Sequence, residues 1–179
     1  MASDLNLLIP EFRIKVEQLL ENCQCRGVIM KPCDTLRDPY TQARLWRQSR
    51  SKAVIQKKIN ELKEKGAPFL AHCIESVGPQ SGLHVTNAIP GLSWHQWGEA
   101  VDCYWSAKGK VVWDQNVKFD GLNGYKVYAE EAKKLGLNSG YYWARMKDDP
   151  HVQWRYISNP LMVYYLETID EQMYLTSSS

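Results

Sequence analysis

Apolar residues recur early in the chain at the spacing of one helical face. Phe12, Val16, Leu19, Leu20 and Cys23 follow Pro10, a residue suited to a helix start, and Gly27 stands as a stop, so the pattern predicts a core-facing helix. The apolar run GVIM after it fits a short buried strand. In KPCDTLRDPY, Asp38 is positioned to cap and Pro39 to begin a helix through TQARLWRQS. Ser51 opens another helix with Val54, Ile55, Ile59 and Leu62 on one face and Gly66 at its end. APFLAHCIESV reads as a short, partly buried helix stopped by Gly78.

At Ala100 the period changes from helical to alternating. AVDCYW is a strand pattern with Ala100, Asp102 and Tyr104 on one face and Val101, Cys103 and Trp105 on the other, and VVW supplies a hairpin partner. GYKVYAEEAKKLG returns to helical spacing through Tyr128, Ala132 and Leu135. SGYYW predicts a further strand, DDPHVQW a turn entering a strand, and PLMVYYLETIDEQM a closing helix over residues 159–175, with 176–179 as a tail. Helices and short strands without regular βαβ alternation imply an α+β fold, a small antiparallel sheet flanked by helices. At 179 residues the expectation is a single domain over 1–179.

Composition adds little to this picture. An apolar fraction of 44% and a charged fraction of 23% are ordinary for a globular chain. A net charge of +2 argues against a nucleic-acid partner, although residues 44–65 are locally basic. Five cysteines without a CxxC pair are expected to be reduced and mostly buried. The N-terminus MASDLNLLIPEF lacks the pattern of a Sec-type signal peptide, and no run approaches the ~20 apolar residues of a membrane span. The expectation is synthesis in the cytoplasm, no stable membrane insertion and a monomer. A substrate in the cell wall would then be met after release or export by another route.

Two stretches carry candidate chemistry. In SWHQWGEAVD, an aspartate projects from a strand among apolar neighbours, which is costly unless something cationic meets it. In DDPHVQW, Pro150 biases Asp149 towards extended backbone just before His151. His95, Asp102 and His151 would together supply the two nitrogens and one oxygen of a catalytic zinc site, with one position left for water. Gly98 lets the chain bend between two of these ligands, and Ser93 can orient a neighbour. Asp148 or Asp149 could serve as general base, a choice that spacing leaves open. Gln153 could hold the second nitrogen of His151.

S-x-H-x-x-G-x-A-x-D, at Ser93, His95, Gly98, Ala100 and Asp102, is followed by W-x-x-x-x-D-x-P-H at Trp143, Asp148, Pro150 and His151. This pattern resembles the zinc peptidoglycan peptidases of the D-alanyl-D-alanine carboxypeptidase and L-alanyl-D-glutamate endopeptidase group, which includes phage endolysins and shares its fold with the Hedgehog signalling domain. The likeness runs from about Cys33 to Gln153, including the flanking TNAIPGLSWH and LGLNSGYYW. It implies one zinc ion on His95, Asp102 and His151, Asp148 as the catalytic base, and a peptidoglycan stem peptide as substrate. It also assigns Arg37 to a substrate carboxylate or developing oxyanion, with Gln42 and Ser93 in substrate binding. Thr35, Leu36 and Asp38 depart from the family's usual surroundings of that arginine. The expected activity is cleavage of the L-alanyl-D-glutamate bond. The alternatives are a D-alanyl-D-alanine carboxypeptidase or dipeptidase, and a non-catalytic zinc-containing binding module of the same fold.

Overall fold

A computed structural model describes residues 3–177. The chain forms two compact units, one from the residues through Leu36 together with Trp97–Tyr156, the other from Arg37–Gln96 and the chain after Ile157.

The first unit is a sheet with one face covered by helices. Helix α1 (Pro10–Cys25) buries Phe12, Val16, Leu19 and Cys23, the stripe expected from the sequence. Strand β1 (Ile29–Asp34) pairs antiparallel with β2 (Ala100–Ala107). β2 turns back into β3 (Lys110–Val112), and helix α5 (Gly124–Lys134) follows, capped by the Asn123 side chain accepting from Lys126 N at 2.9 Å. β4 (Asn138–Ser139) and β5 (His151–Gln153) complete a sheet of order β1-β2-β5-β4, with β3 also on β2. Val101, Cys103, Trp105 and Val152 pack into a core with Phe12, Val16, Tyr125 and Tyr128 of the two helices. Alternation therefore turns Asp102 and Tyr104 to the opposite face.

The second unit is helical. α2 (Pro39–Arg47) begins as the sequence implies, with Asp38 Oδ1 accepting from Thr41 N at 2.9 Å. α3 (Lys52–Glu64) buries Ile55, Ile59 and Leu62, whereas Val54, expected on the same face, is 49% exposed. α4 (Pro68–Ser76) begins without a side-chain cap of its own. The final helix α6 (Leu166–Ser177) supplies one, because the buried Asp170 carboxylate accepts from Leu70 N at 2.8 Å.

Two elements differ from expectation. SGYYW is a strand only at its first residue; Gly140–Tyr142 is a 3-10 turn, because Gly140 must pass tightly under the Asp148 backbone. The closing helix begins at Leu166 rather than 159. Asn159 caps a 3-10 turn, Pro160–Met162, and the β-branched and aromatic Val163-Tyr164-Tyr165 does not extend it into a helix. The expected tail is helical through Ser177, and residues 178 and 179 lie outside those described. Among the described residues no helix is long and apolar enough to cross a membrane.

Candidate metal centre

Strand register brings two of the three candidate ligands together. β2 and β5 pair so that Asp102 lies directly opposite His151, and Asp102 Oδ1 stands 2.8 Å from His151 Nδ1. The other imidazole nitrogen, Nε2, is 3.1 Å from Gln153 Oε1, while Gln153 Nε2 donates to the Arg155 carbonyl at 2.6 Å. That second bond fixes the amide with its oxygen towards the ring, so Nε2 carries the hydrogen and Nδ1 faces the carboxylate. Burial disfavours the charged imidazole, but the Asp102 hydrogen bond and charge outweigh it, with a further contribution from Asp148, and the His151 pKa is raised. A proton on Nδ1 would bridge the two side chains. The Trp143 ring lies 5.2 Å from the imidazole and shields it.

His95 belongs to the 3-10 turn Trp94–Trp97, just before β2. Gln96 shapes this turn: its Oε1 accepts from Gly91 N at 2.7 Å and from Ser93 N at 3.3 Å, and its own N–H donates to the Ser93 carbonyl at 3.0 Å. Gly98 then takes φ +65°, and a Cβ there would stand 2.9 Å from the Leu7 carbonyl oxygen, so the bend between the ligands needs glycine. One ligand atom from each of His95, Asp102 and His151 lies within 4.8 Å of the others.

This donor set suits a divalent metal. Two imidazoles and a carboxylate at zinc bond lengths of roughly 2.0–2.2 Å, arranged tetrahedrally, would stand about 3.4 Å apart, so small rotations of these side chains suffice. Both histidines are buried, at 2% and 7% exposure, which favours binding through directed ligands over a diffuse ion cloud. The cysteines form no comparable group among the described residues. All five are free thiols; burial pushes Cys23 and Cys73 up to about 12 and Cys33 to about 11, while Cys25 is exposed.

The two neighbouring aspartates are distinct. Asp149 is buried and ion-paired with Lys147 at 3.1 Å, whereas the Asp148 side chain is exposed. Backbone bonds hold Asp148 on both sides: His151 N donates to its carbonyl at 3.2 Å, and its own N–H donates to Gly140 O at 3.1 Å. Arg37 Nη1 donates to Gln42 Oε1 at 2.9 Å, and Arg37 N donates to the His95 carbonyl at 3.2 Å. Gln42 is fully buried, and its Nε2 donates to Ala88 O at 2.7 Å. Its side chain is thus held between the Ala88 carbonyl and the Arg37 guanidinium. Ser93 is half-buried, and its main chain anchors the His95 turn.

Some supporting residues had no sequence signal. Glu99 receives Arg155 in a two-point ion pair, one contact at 3.0 Å, and the Glu99 carbonyl accepts from Trp154 N at 2.9 Å, fastening the end of β5 to the start of β2. Gln96 looked like any polar turn residue. Gly140 lay within a segment resembling the family, but its tight approach depends on a partner eight positions away.

Residues 6–157 match the VanY family, described as D-alanyl-D-alanine carboxypeptidase. The peptidoglycan L-alanyl-D-glutamate endopeptidase CwlK of Bacillus subtilis (strain 168) is 38% identical over 81 residues, which is 41% of this chain and 46% of CwlK, so the likeness spans less than half of that relative. Among solved structures, the Serratia marcescens L-Ala D-Glu endopeptidase ChiX aligns at 17% identity and TM-score 0.42, covering 85% of this chain and 84% of its own. A mutant of the vancomycin resistance D,D-pentapeptidase VanY from a VanB-type cassette, in complex with Zn(II), aligns at 17% identity and TM-score 0.45, covering 82% and 72%.

Proposed function

The chain belongs to the VanY D-alanyl-D-alanine carboxypeptidase family, and from that premise we propose that it is a zinc-dependent peptidase cutting the L-alanyl-D-glutamate bond of the peptidoglycan stem peptide. The observation that carries the reading is the convergence of His95, Asp102 and His151 ligand atoms within 4.8 Å. The choice of bond is supported by the likeness to CwlK. The D-alanyl-D-alanine bond is the second reading, favoured by the family's own description.

His95, Asp102 and His151 would hold the ion. Zinc bound there supplies Lewis acidity and eases deprotonation of water. The remaining work falls to this chain's side chains. The exposed Asp148 carboxylate accepts the proton of the attacking water and returns it to the departing amine. Lys147 occupies Asp149, which leaves that residue to structure. Arg37, its planar guanidinium steadied by the buried Gln42, holds a substrate carboxylate or the negative charge that develops on the carbonyl oxygen. Gln153 keeps the His151 ring aimed with Nδ1 towards Asp102.

The test is digestion of purified peptidoglycan by the zinc-loaded protein, with the fragments identified by mass spectrometry. New N-terminal D-glutamate is expected. Release of free D-alanine instead would support the second reading, and absence of any cleavage with walls of several chemotypes would refute both in favour of a binding module.

A further inference from the structure

The ligand-bearing face of the sheet continues beyond the metal centre into an aromatic platform. Tyr104 lies two residues along β2 from Asp102 and therefore on the same face. β3 runs back along the edge of β2 that β5 also uses, with Trp105 opposite Val112, and the next residue, Trp113, comes beside Tyr104 with ring centroids 5.8 Å apart. Trp113 is 57% exposed and Val111 on the same face 51%. The core on the opposite face takes Trp105, so it does not account for the Tyr104–Trp113 pair.

Resting on the proposed peptidase reading, we infer that Tyr104 and Trp113 form the subsite for the N-acetylated, lactyl-bearing sugar to which the stem peptide is attached. Two steps along a strand carry the platform about 7 Å from Asp102. In the substrate, one alanine residue and one lactyl group separate the L-alanyl carbonyl from the sugar ring, again about 7 Å when extended. At the D-alanyl-D-alanine bond, four residues and the lactyl group intervene, about 17 Å, and the sugar would overshoot the rings. The electron-rich indole face suits the C–H groups of a pyranose, while the tyrosine hydroxyl suits its polar edge. The enzyme would therefore recognise stem peptides still joined to glycan.

The experiment compares N-acetylmuramoyl-L-Ala-D-Glu-Lys with D-lactyl-L-Ala-D-Glu-Lys, which lacks only the sugar. The wild type is expected to favour the first by about tenfold in kcat/KM through KM, the scale of one well-formed ring contact. Trp113→Ala should reduce the ratio to near one, and Trp113→Tyr should keep most of it. A wild-type ratio near one, or a ratio unchanged in Trp113→Ala, overturns the assignment. Saturation-transfer NMR of N-acetylmuramoyl-L-alanine with the zinc-loaded protein gives a readout independent of cleavage. If neither peptide is cut, the peptidase reading fails. Saturation transfer that disappears in Trp113→Ala still supports the platform, and no transfer to wild type overturns it.

Discussion

Replacing Gly140 by alanine tests whether Asp148 is held by the backbone packing described above. The added methyl would sit 2.3 Å from the Asp148 carbonyl oxygen and 3.1 Å from its carbonyl carbon and Cβ, whereas ordinary contact begins at 3.4 Å. The oxygen must therefore retreat by about 1 Å, pulling against the Asp148 N–H to Gly140 O bond of 3.1 Å. No flexible side chain lies between them to absorb the change. Overpacking of this kind costs about 1–3 kcal/mol, and with backbone on both sides the upper end is expected, a fall in Tm of about 6–12 °C for a chain of this length. Displacing the proposed base by that amount should lower kcat about a hundredfold. Gly78→Ala is the comparison: it carries a backbone penalty of its own, at φ +66°, but has nothing within 4 Å of the added atom. It should cost about 1–2 kcal/mol and leave kcat intact. Urea denaturation of both variants, with kcat measured on a stem-peptide substrate, separates the effects. A Gly140→Ala protein within about 0.5 kcal/mol of wild type and with full turnover would refute the packing argument.

His95→Ala should reduce bound zinc from about one ion per chain towards none by atomic emission; unchanged content would mean that the ion binds elsewhere. Asp148→Asn should lose about a hundredfold to ten-thousandfold in kcat while keeping zinc. Asp149→Asn should instead lower stability by about 1–3 kcal/mol through its buried position. Full activity in the Asp148 variant would overturn its role as base. In the metal-free protein, the raised pKa of His151 contributes stability that is complete below its ordinary value of 6.5 and is lost as pH rises through the raised value. Zinc should bind more tightly over the same window, because cation and proton compete for Nδ1. Denaturant midpoints of metal-free wild type and Asp102→Asn should converge as pH rises; a constant difference would dismiss the Asp102–His151 contact as the cause.

Where one side chain or one period decides the outcome, the sequence was readable. Asp38 caps α2, the α1 stripe is buried, and alternation in β2 turns Asp102 away from the core. The pairing of Asp102 with His151 lay in two motifs, each ambiguous alone, because register across 49 positions is set by the whole sheet. The distinction between Asp148 and Asp149 depended on burial and on Lys147, which spacing does not encode. Gln42 was legible only through the family resemblance, which said nothing of its burial or of its bond to Arg37. The SGYYW and 159–175 assignments failed where a backbone contact or weak local helix preference overrode an apolar run.

The facing arrangement of Asp102 and His151 has a consequence for how the chain acquires its structure. A slip of one position between β2 and β5 would set Asp102 against a neighbour of His151 and turn the imidazole to the wrong side of the ribbon. Only the correctly aligned strands would then offer both donors to one cation, so zinc captured during maturation would stabilise that alignment over its competitors. The ion would act as a proofreader of the fold before the enzyme meets any substrate.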